Sequence, residues 1–163
     1  MYILPEQKNQ YIEHMIELYS DLVYGLAYTR ARSRDVADDI YQDVFLIFSK
    51  KLPEFENEEH AKAWFIRVTI NKSKNFLNSF WNRKVTGFDE DISFESNDEK
   101  DLIYEVLKLP QNYKTVIYLH YYQGYKISEI SKLMDKNEST IKTWMSRARK
   151  ILEENIKGGF EDE

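Results

Sequence analysis

Apolar residues recur every three to four positions along most of the chain, which is the spacing of amphipathic helices rather than of strands. Only 5 glycines and 3 prolines interrupt this spacing, so long helices are favoured. The pattern predicts helices over residues 7–28, 34–51, 58–70, 72–82, 98–107, 110–123, 128–134 and from 138 onwards, with a break near Asn71. The predicted N-caps are Ser33, Asn57, Asp98, Ser128 and Asn137, with Pro110 in a first turn and Gly124 as a C-terminal cap.

A stretch without helical spacing separates the predicted helices into two groups. Between Thr86 and Glu105 the chain has eight acidic residues and one basic residue, Lys100. We interpret residues 86–97 as a linker between domains. The predicted fold class is therefore all-α, with two small helical domains, residues 1–85 and 98–163, joined by an acidic linker; the second domain contains a helix-turn-helix.

Charge is segregated along the chain. The net charge of −5 excludes a uniformly basic nucleic-acid coat protein. Residues 60–85 nevertheless carry six basic residues and no acid, and residues 139–150 carry four basic residues and no acid. The chain has no cysteine, which excludes a disulfide scaffold, a thiolate zinc site and a cysteine nucleophile.

The last two predicted helices, separated by a short turn, form a helix-turn-helix pattern. One side of the second helix is apolar, and the other carries cations and hydroxyl groups within an arc of about 160°. Such a face suits DNA, because cations neutralise phosphates and short donors reach base edges in the major groove. The alternative is an ordinary amphipathic surface helix, although such helices usually mix glutamate with lysine. The polar arc consists of Ser139, Lys142, Thr143, Ser146, Arg147, Arg149 and Lys150.

The first basic stretch, residues 60–85, interleaves cations with aromatic residues. This composition suits single-stranded DNA, whose bases stack on aromatic rings while cations neutralise its phosphates. Trp64 could be such a ring or a core residue, whereas Phe65 and Phe76 are expected in the core. The polar residues that could contact base edges are Asn71, Ser73, Asn75 and Asn78.

One side of the second predicted helix is a stripe of polar residues around a single leucine. Asp39, Gln42, Asp43, Leu46 and Lys50 follow the spacing i, i+3, i+4, i+7 and i+11. From spacing alone, a solvated helix face is the simpler interpretation. A leucine among carboxylates would also suit a basic helical partner.

Candidate catalytic chemistry is sparse in this sequence. The histidines, His14, His60 and His120, are scattered, and no glycine-rich phosphate loop occurs. We therefore expect no enzyme, no cofactor and no metal site. No apolar run approaches the ~20 residues of a membrane span, and we see no signal-peptide pattern, so we expect a cytoplasmic protein without membrane insertion. A dimeric helix-turn-helix regulator and a protein-interaction adaptor are alternative functions.

Several segments, in this order, resemble bacterial sigma factors. Asp39-Ile-Tyr-Gln42-Asp-Val-Phe45 resembles the acidic-x-x-Gln-x-x-Phe signature of region two. Ala63-Trp64-Phe-Ile-Arg67-Val-Thr-Ile-Asn71 resembles the stretch that follows it. The chain over residues 12–155 is similar to a minimal extracytoplasmic-function (ECF) sigma factor with regions two and four only. The positions that resemble region four are Leu109-Pro110, Val116, Leu119, Tyr121-Tyr122, Gly124, Ile127, Glu129-Ile130, Thr140-Ile141-Lys142 and Ser146-Arg147-Ala148-Arg149.

The resemblance implies an alternative sigma factor that binds core RNA polymerase, through its β′ clamp helices and β flap, and directs initiation at defined promoters. It also implies an anti-sigma factor, one that could hold the protein at the membrane. The alternative is a helix-turn-helix regulator that acts without replacing the housekeeping sigma factor. The implied sites are Asp39, Gln42, Asp43 and Leu46 for core polymerase; Trp64, Arg67, Asn71, Lys72, Ser73, Lys74 and Asn75 for the −10 element; and Ser139, Thr140, Lys142, Thr143, Ser146, Arg147, Arg149 and Lys150 for the −35 element.

Two positions depart from the family pattern. Ile70 stands where a basic residue is frequent, and the end of region two, with only Arg83 and Lys84, lacks the usual run of arginines. Both departures count against specific phosphate contacts at the −10 element. They indicate either a particular promoter preference or a greater reliance on region four.

Overall fold

The computed structural model describes the backbone of residues 4–82 and 97–161 and the side chains of residues 4–78 and 102–156. The chain divides into two compact units, residues 1–87 (unit 1) and residues 88–163 (unit 2). Every regular element in the described ranges is helical, which confirms the all-α class. The elements are α1 (Pro5–Ala31), α2 (Arg34–Lys51), α3 (Glu58–Asn82), α4 (Asn97–Lys108), α5 (Gln111–Ile117), a π-helical turn (Tyr118–Tyr122), α6 (Ile127–Met134) and α7 (Glu138–Glu161).

Unit 1 is a three-helix bundle in which α1, α2 and α3 all pack against one another. The periodic apolar residues of each helix meet in one core, and several of them are completely buried. Phe65 of α3 lies at the centre, with its ring 4.7 Å from Tyr19 of α1 and 5.3 Å from Phe48 of α2. Aromatic packing of this kind adds to the stabilisation from burial alone.

Unit 2 buries the apolar sides of α5, α6 and α7 together, with α4 against α7. Val116, Ile130 and Ile141, one from each of those three helices, are completely buried. Between α6 and α7 the chain turns through Asp135, which has a left-handed φ of 53°. Two helices joined by such a short turn form the predicted helix-turn-helix.

Local capping confirms three predicted helix boundaries. The Ser33 side chain accepts a hydrogen bond from the Val36 N–H at 3.3 Å. Asn57 Oδ1 accepts from the His60 N–H at 2.8 Å, and Asn137 Oδ1 accepts from the Thr140 N–H at 2.8 Å. Each side chain thereby satisfies a backbone donor that has no partner within its own helix.

Other predicted boundaries are wrong or shifted. Ser128 is not a cap, because α6 begins at Ile127 and its first turn is tied by the Lys126 N–H, which donates to Glu129 Oε1 at 3.0 Å. Asp98 lies inside α4, and Pro110 precedes the first residue of α5. Gly124 does follow the π-helical turn, with the left-handed φ of 74° that favours glycine.

The predicted break near Asn71 is also wrong, because α3 is one continuous helix. Asn71 lies on its exposed side, while Ile70 and Leu77 on the opposite side remain buried. The polar run there is a solvent-facing stripe and not a helix end. Of the predicted linker 86–97, residues 86–96 lie outside the described residues, and Asn97 is the first residue of α4.

Candidate nucleic-acid interface

The exposed face of α7 carries cations and hydroxyl groups without a carboxylate over residues 139–150. Ile141, Met145 and Ala148 on the other side are buried, so the polar residues are forced outwards. The polar face of α7 that the sequence predicts is therefore exposed to solvent. Its exposed members are Ser139, Lys142, Thr143, Ser146, Arg147, Arg149 and Lys150, with Thr140 half-buried at its border.

Several side chains of this α7 face already have hydrogen-bond partners within the protein. The Thr143 hydroxyl donates to the Ser139 carbonyl at 2.9 Å, and the Thr140 hydroxyl donates to Asn137 Oδ1 at 2.7 Å. Arg149 Nε donates to the hydroxyl of Tyr121 at 2.7 Å, and its guanidinium lies 5.6 Å from that ring. Arg149 is thus held against the π-helical turn at the edge of the face.

Beyond its first turn, which carries the exposed Glu58 and Glu59, α3 has a second cationic surface without acids over residues 60–78. Arg67, Asn71, Lys74, Asn75 and Asn78 are exposed at the spacing i, i+4, i+7, i+8 and i+11, which places them in one stripe along the helix. We call this set the α3 stripe. Amide groups alternate with cations along it, so it offers donors and acceptors as well as positive charge. Lys72 is half-buried beside the stripe.

Ser73 is a correction to the predicted −10 residues. Its side chain is fully buried and faces α1 rather than solvent. Its hydroxyl accepts a hydrogen bond of 2.5 Å from Arg30 Nε and donates to the Ile70 carbonyl at 2.7 Å. A hydroxyl engaged in this way inside the bundle is not available to a base.

Trp64 is half-buried and belongs to the aromatic cluster of unit 1. Its ring packs edge-on against Phe48 and Phe55, with both centroid distances 5.9 Å, and against Phe65 at 5.0 Å. Of its two possible roles, the packing favours the core. Arg67, one turn further along α3, is exposed.

The predicted stripe on α2 lies on the surface, as its spacing indicated. Asp39, Gln42 and Lys50 are exposed and Asp43 is half-buried, while Leu46 among them is 52% exposed. Ile40 and Phe48 on the opposite side of α2 are buried in the core, so the orientation of the helix turns Leu46 towards solvent. We call these residues the α2 stripe.

An apolar groove in unit 2 was not predicted from the sequence. It lies between α4, the π-helical turn and α7 and has a volume of 480 Å³. Tyr121 and Tyr122 at its edge are 56% and 52% exposed, and Leu102 is also exposed. A π-helical turn is rare and often marks a functional position. The signal available in the sequence was the pair of adjacent tyrosines, but their exposure depends on that turn.

No group of three or more histidine or acidic residues that could hold a metal ion occurs within the described parts of the chain. Among the helices described, none is long and apolar enough to cross a membrane.

Comparison with known proteins identifies the family of the chain. Residues 15–83 match the family described as Sigma-70 region 2, and residues 100–152 match Sigma-70, region 4. The RNA polymerase sigma factor SigV of Bacillus subtilis is 30% identical over 135 residues, which cover 79% of this chain and 81% of that protein. The chain therefore belongs to the sigma-70 family, in its ECF group. The family consists of transcription initiation factors, which are not known as enzymes.

Further relatives and solved structures agree with this family. The ECF RNA polymerase sigma-E factor of Haemophilus influenzae is 25% identical over 165 residues, covering 87% of this chain and 85% of that protein. The sigma factor RpoE in complex with the anti-sigma factor NepR from Bartonella quintana has a TM-score of 0.77 at 22% identity, covering 89% of this chain and 96% of that chain. CnrH in complex with the cytosolic domain of CnrY has a TM-score of 0.67 at 17% identity, covering 92% and 90%.

Proposed function

We propose that the chain binds core RNA polymerase as an alternative sigma factor and directs it to promoters by reading two elements with two helix faces. The observation that carries this proposal is that α3 and α7 each present a local face of cations and polar groups without a carboxylate, although the whole chain is acidic. These faces are the α3 stripe and residues 139–150 of α7. A net-negative protein with two local cationic faces binds DNA weakly as a whole. The faces act together once a partner fixes their separation.

The α7 face is proposed to read the −35 element as duplex DNA. The second helix of a helix-turn-helix enters the major groove with its N-terminal residues at the base edges. Lys142, Ser146 and Arg147 are exposed on the first three turns of α7, where that geometry needs them. Arg149, held by Tyr121, contributes from the edge of the face, and Lys150 contacts phosphate.

The α3 stripe is proposed to hold the −10 element as a melted single strand. A base taken out of the stack costs a few kcal/mol, which must be offset by polar contacts to its edge. Asn71 and Asn75, four residues apart, place two amide groups on the same exposed side of α3. Lys74 and Arg67 supply charge for the phosphates on either side.

The α2 stripe is proposed to bind the polymerase β′ clamp helices. Leu46, exposed among acidic and amide side chains, is the apolar anchor that a solvated helix face does not require. Asp39 and Asp43 complement a basic partner helix, which raises the rate and the specificity of association. In unit 2, the groove between α4, the π-helical turn and α7 is a second polymerase contact and fits an apolar helix of the β flap.

An anti-sigma factor is proposed as the regulator. Two solved proteins with the same fold were determined as complexes with an anti-sigma factor or with the cytosolic domain of a partner. A regulator that covers the α2 stripe or the unit 2 groove would exclude the polymerase by direct competition. Because the protein is proposed to act on cytoplasmic polymerase, a membrane-bound regulator would have to reach these surfaces from the cytoplasmic side.

The test of this proposal is polymerase binding by surface variants of the full chain. Combined Asp39→Ala and Gln42→Ala substitution is expected to abolish co-elution with core polymerase on size exclusion, because it removes two of the four polar side chains of the α2 stripe. Glu17→Ala on α1 is the matched control, since it removes an exposed carboxylate outside the stripe. Equal co-elution of the double variant and the control would reject the polymerase contact.

A further inference from the structure

A buried arginine lies directly beneath the α3 stripe. Arg30, in the last turn of α1, is only 4% exposed. Arginine is almost never fully buried unless its guanidinium has partners, because removal of its charge from water is costly. Its Nε donates to the hydroxyl of Ser73, 43 positions away on α3. No sequence spacing links these two residues, so the contact exists only in the folded bundle.

The contact continues into the backbone of α3. The Ser73 hydroxyl, while it accepts from Arg30, donates to the Ile70 carbonyl at 2.7 Å. Serine that bonds back to a helix carbonyl competes with the regular helix bond and tends to bend the helix. The hydrogen bonds from Arg30 to Ser73 and from Ser73 to the Ile70 carbonyl therefore lie within the turn that presents Asn71 and Lys74.

Arg30 remains a cation at neutral pH. Burial lowers the pKa of its guanidinium to about 10, well above the pH of the cell. A hydrogen bond from a charged donor is stronger than one between neutral groups. The bond to Ser73 can therefore fix the turn more firmly than a neutral pair would.

We propose that Arg30 is a positioning residue for single-strand capture, which holds the Asn71–Asn75 turn of α3 in the geometry that receives the −10 strand. It acts through Ser73 and touches no DNA itself. The inference rests on the proposed function of the α3 stripe and adds to it a buried residue outside the segment that contacts the strand. The bland alternative is that Arg30 merely helps to hold α1 against α3.

The test compares strand capture with stability in polymerase complexes of the full chain. Arg30→Met keeps a long side chain at this position but removes the guanidinium, and with it the hydrogen-bond donor to Ser73 and the positive charge. The probe is the labelled non-template strand of a promoter whose start site the unaltered chain has defined by transcription. We expect strand affinity to fall about tenfold, while affinity for the upstream duplex is unchanged.

Four further variants separate a positioning role of Arg30 from a packing role. Arg30→Lys keeps a cation with N–H donors but loses the planar guanidinium, so it is expected to recover part of the strand affinity. Ser73→Ala is expected to weaken strand binding in the same direction, and the double variant to be no worse than Arg30→Met alone. Val23→Ala, a fully buried α1 residue two turns away, is the matched control that lowers stability without lowering strand affinity.

Hydrogen exchange provides a readout that needs no promoter. Arg30→Met is expected to speed exchange of the amides of residues 71–75 more than those of the rest of α3, whereas Val23→Ala speeds exchange throughout unit 1. Unchanged strand affinity in Arg30→Met, or an equal loss in Val23→Ala, would overturn the positioning role. If the unaltered chain directs no transcription start, the proposed function fails as well, and the two failures are thus distinguishable.

Discussion

The two cationic helices, α3 and α7, differ in how they are packed, although each has one exposed polar face without acids. On α7 the residues opposite the polar arc, such as Ile141, Met145 and Ala148, are buried. The polar arc itself is broad and exposed. On α3, which packs against α1 and α2, the exposed polar residues form a narrower stripe along the helix. A broad open face suits rigid duplex DNA, whereas a narrow stripe suits a single strand that adapts to it.

The helices α7 and α3 also differ in the hydrogen-bond partners that hold their polar side chains. The side chains of α7 bond within their own helix or to Tyr121 on the neighbouring turn. The turn of α3 that presents Asn71 is held from below by Arg30, through the buried Ser73. The α7 face is therefore defined largely by local sequence, and the α3 stripe depends on the assembled bundle.

The largest expected effect is the loss of stability on substitution of Trp64. This substitution distinguishes a role of Trp64 in the core from a role in DNA binding. Trp64→Ala removes the ring between Phe48 and Phe55 and is expected to cost about 3 kcal/mol of unfolding free energy. The matched change on α7, Lys142→Ala, removes an exposed side chain and is expected to change stability by less than about 0.5 kcal/mol. Hydrogen exchange of α3 and α7 amides in the full chain measures both values.

For Trp64, substitution by phenylalanine provides the control, because a smaller ring retains most of the aromatic packing. If Trp64→Ala left unit 1 as stable as before but lost strand binding, the tryptophan would belong to the α3 stripe and not to the core.

The next largest expected effect is a loss of affinity for duplex DNA. It tests whether the α7 face binds the duplex separately from the single strand. Arg147→Ala is expected to weaken binding of the polymerase complex to the upstream duplex by about 2 kcal/mol and to leave single-strand binding unchanged. Fluorescence anisotropy with separate duplex and single-strand probes measures this division. Glu154→Gln, exposed on α7 beyond the polar arc, is the control. Equal losses on both probes would mean that the two faces do not divide the promoter as proposed.

A smaller effect concerns the first turn of α7. Asn137→Ala removes the cap that satisfies the Thr140 N–H and is expected to cost about 1 kcal/mol of helix stability. Ser128→Ala is the matched control, because Ser128 caps no helix in the structure. Thermal unfolding followed by circular dichroism compares the two variants. A larger loss for Ser128→Ala than for Asn137→Ala would contradict the observed caps.

The smallest effect is a dependence of unit 1 stability on alkaline pH. Burial, followed by the nearby charge of Glu58, raises the pKa of Tyr19, so above about pH 10 the unfolded chain loses this proton before the folded chain does. Stability from this group is therefore lost as pH rises. Burial lowers the pKa of Arg30 to about 10, and this group acts in the opposite direction over the same range.

The two contributions can be separated by substitution. Tyr19→Phe is expected to reduce the alkaline loss of stability, and Arg30→Met to increase it. Urea unfolding at pH 8 and pH 10.5 provides the comparison. A Tyr19→Phe variant with the same alkaline loss as the unaltered chain would show that the buried hydroxyl does not titrate as described.

Features that depend on residues within one helix could be predicted from the sequence. The α7 face was predictable because burial of Ile141, Met145 and Ala148 follows from a periodicity within one helix. The caps at Ser33 and Asn137 were predictable because they need only neighbouring residues. The roles of the individual surface residues in binding polymerase and DNA stay predictions.

What the sequence did not reveal depends on contacts between distant residues. Ser73 is a small polar residue of the kind that can contact a base, but it lies on the buried side of α3 with Ile70. Its hydrogen-bond donor, Arg30, comes from another helix. The polar run at Asn71 was interpreted as a helix break because its buried partners, Ile70 and Leu77, lie on the opposite side. The unit 2 groove is built by three separate elements, so no single segment carries its pattern.

The central claim is that two helix faces read a promoter only within a polymerase complex. Run-off transcription on genomic DNA with core polymerase, with the starts mapped by sequencing, tests it most directly. We expect defined starts with the unaltered chain, none with the combined Asp39→Ala and Gln42→Ala variant, and a weakened upstream preference with Arg147→Ala. Defined starts that are the same with and without the protein would contradict the claim.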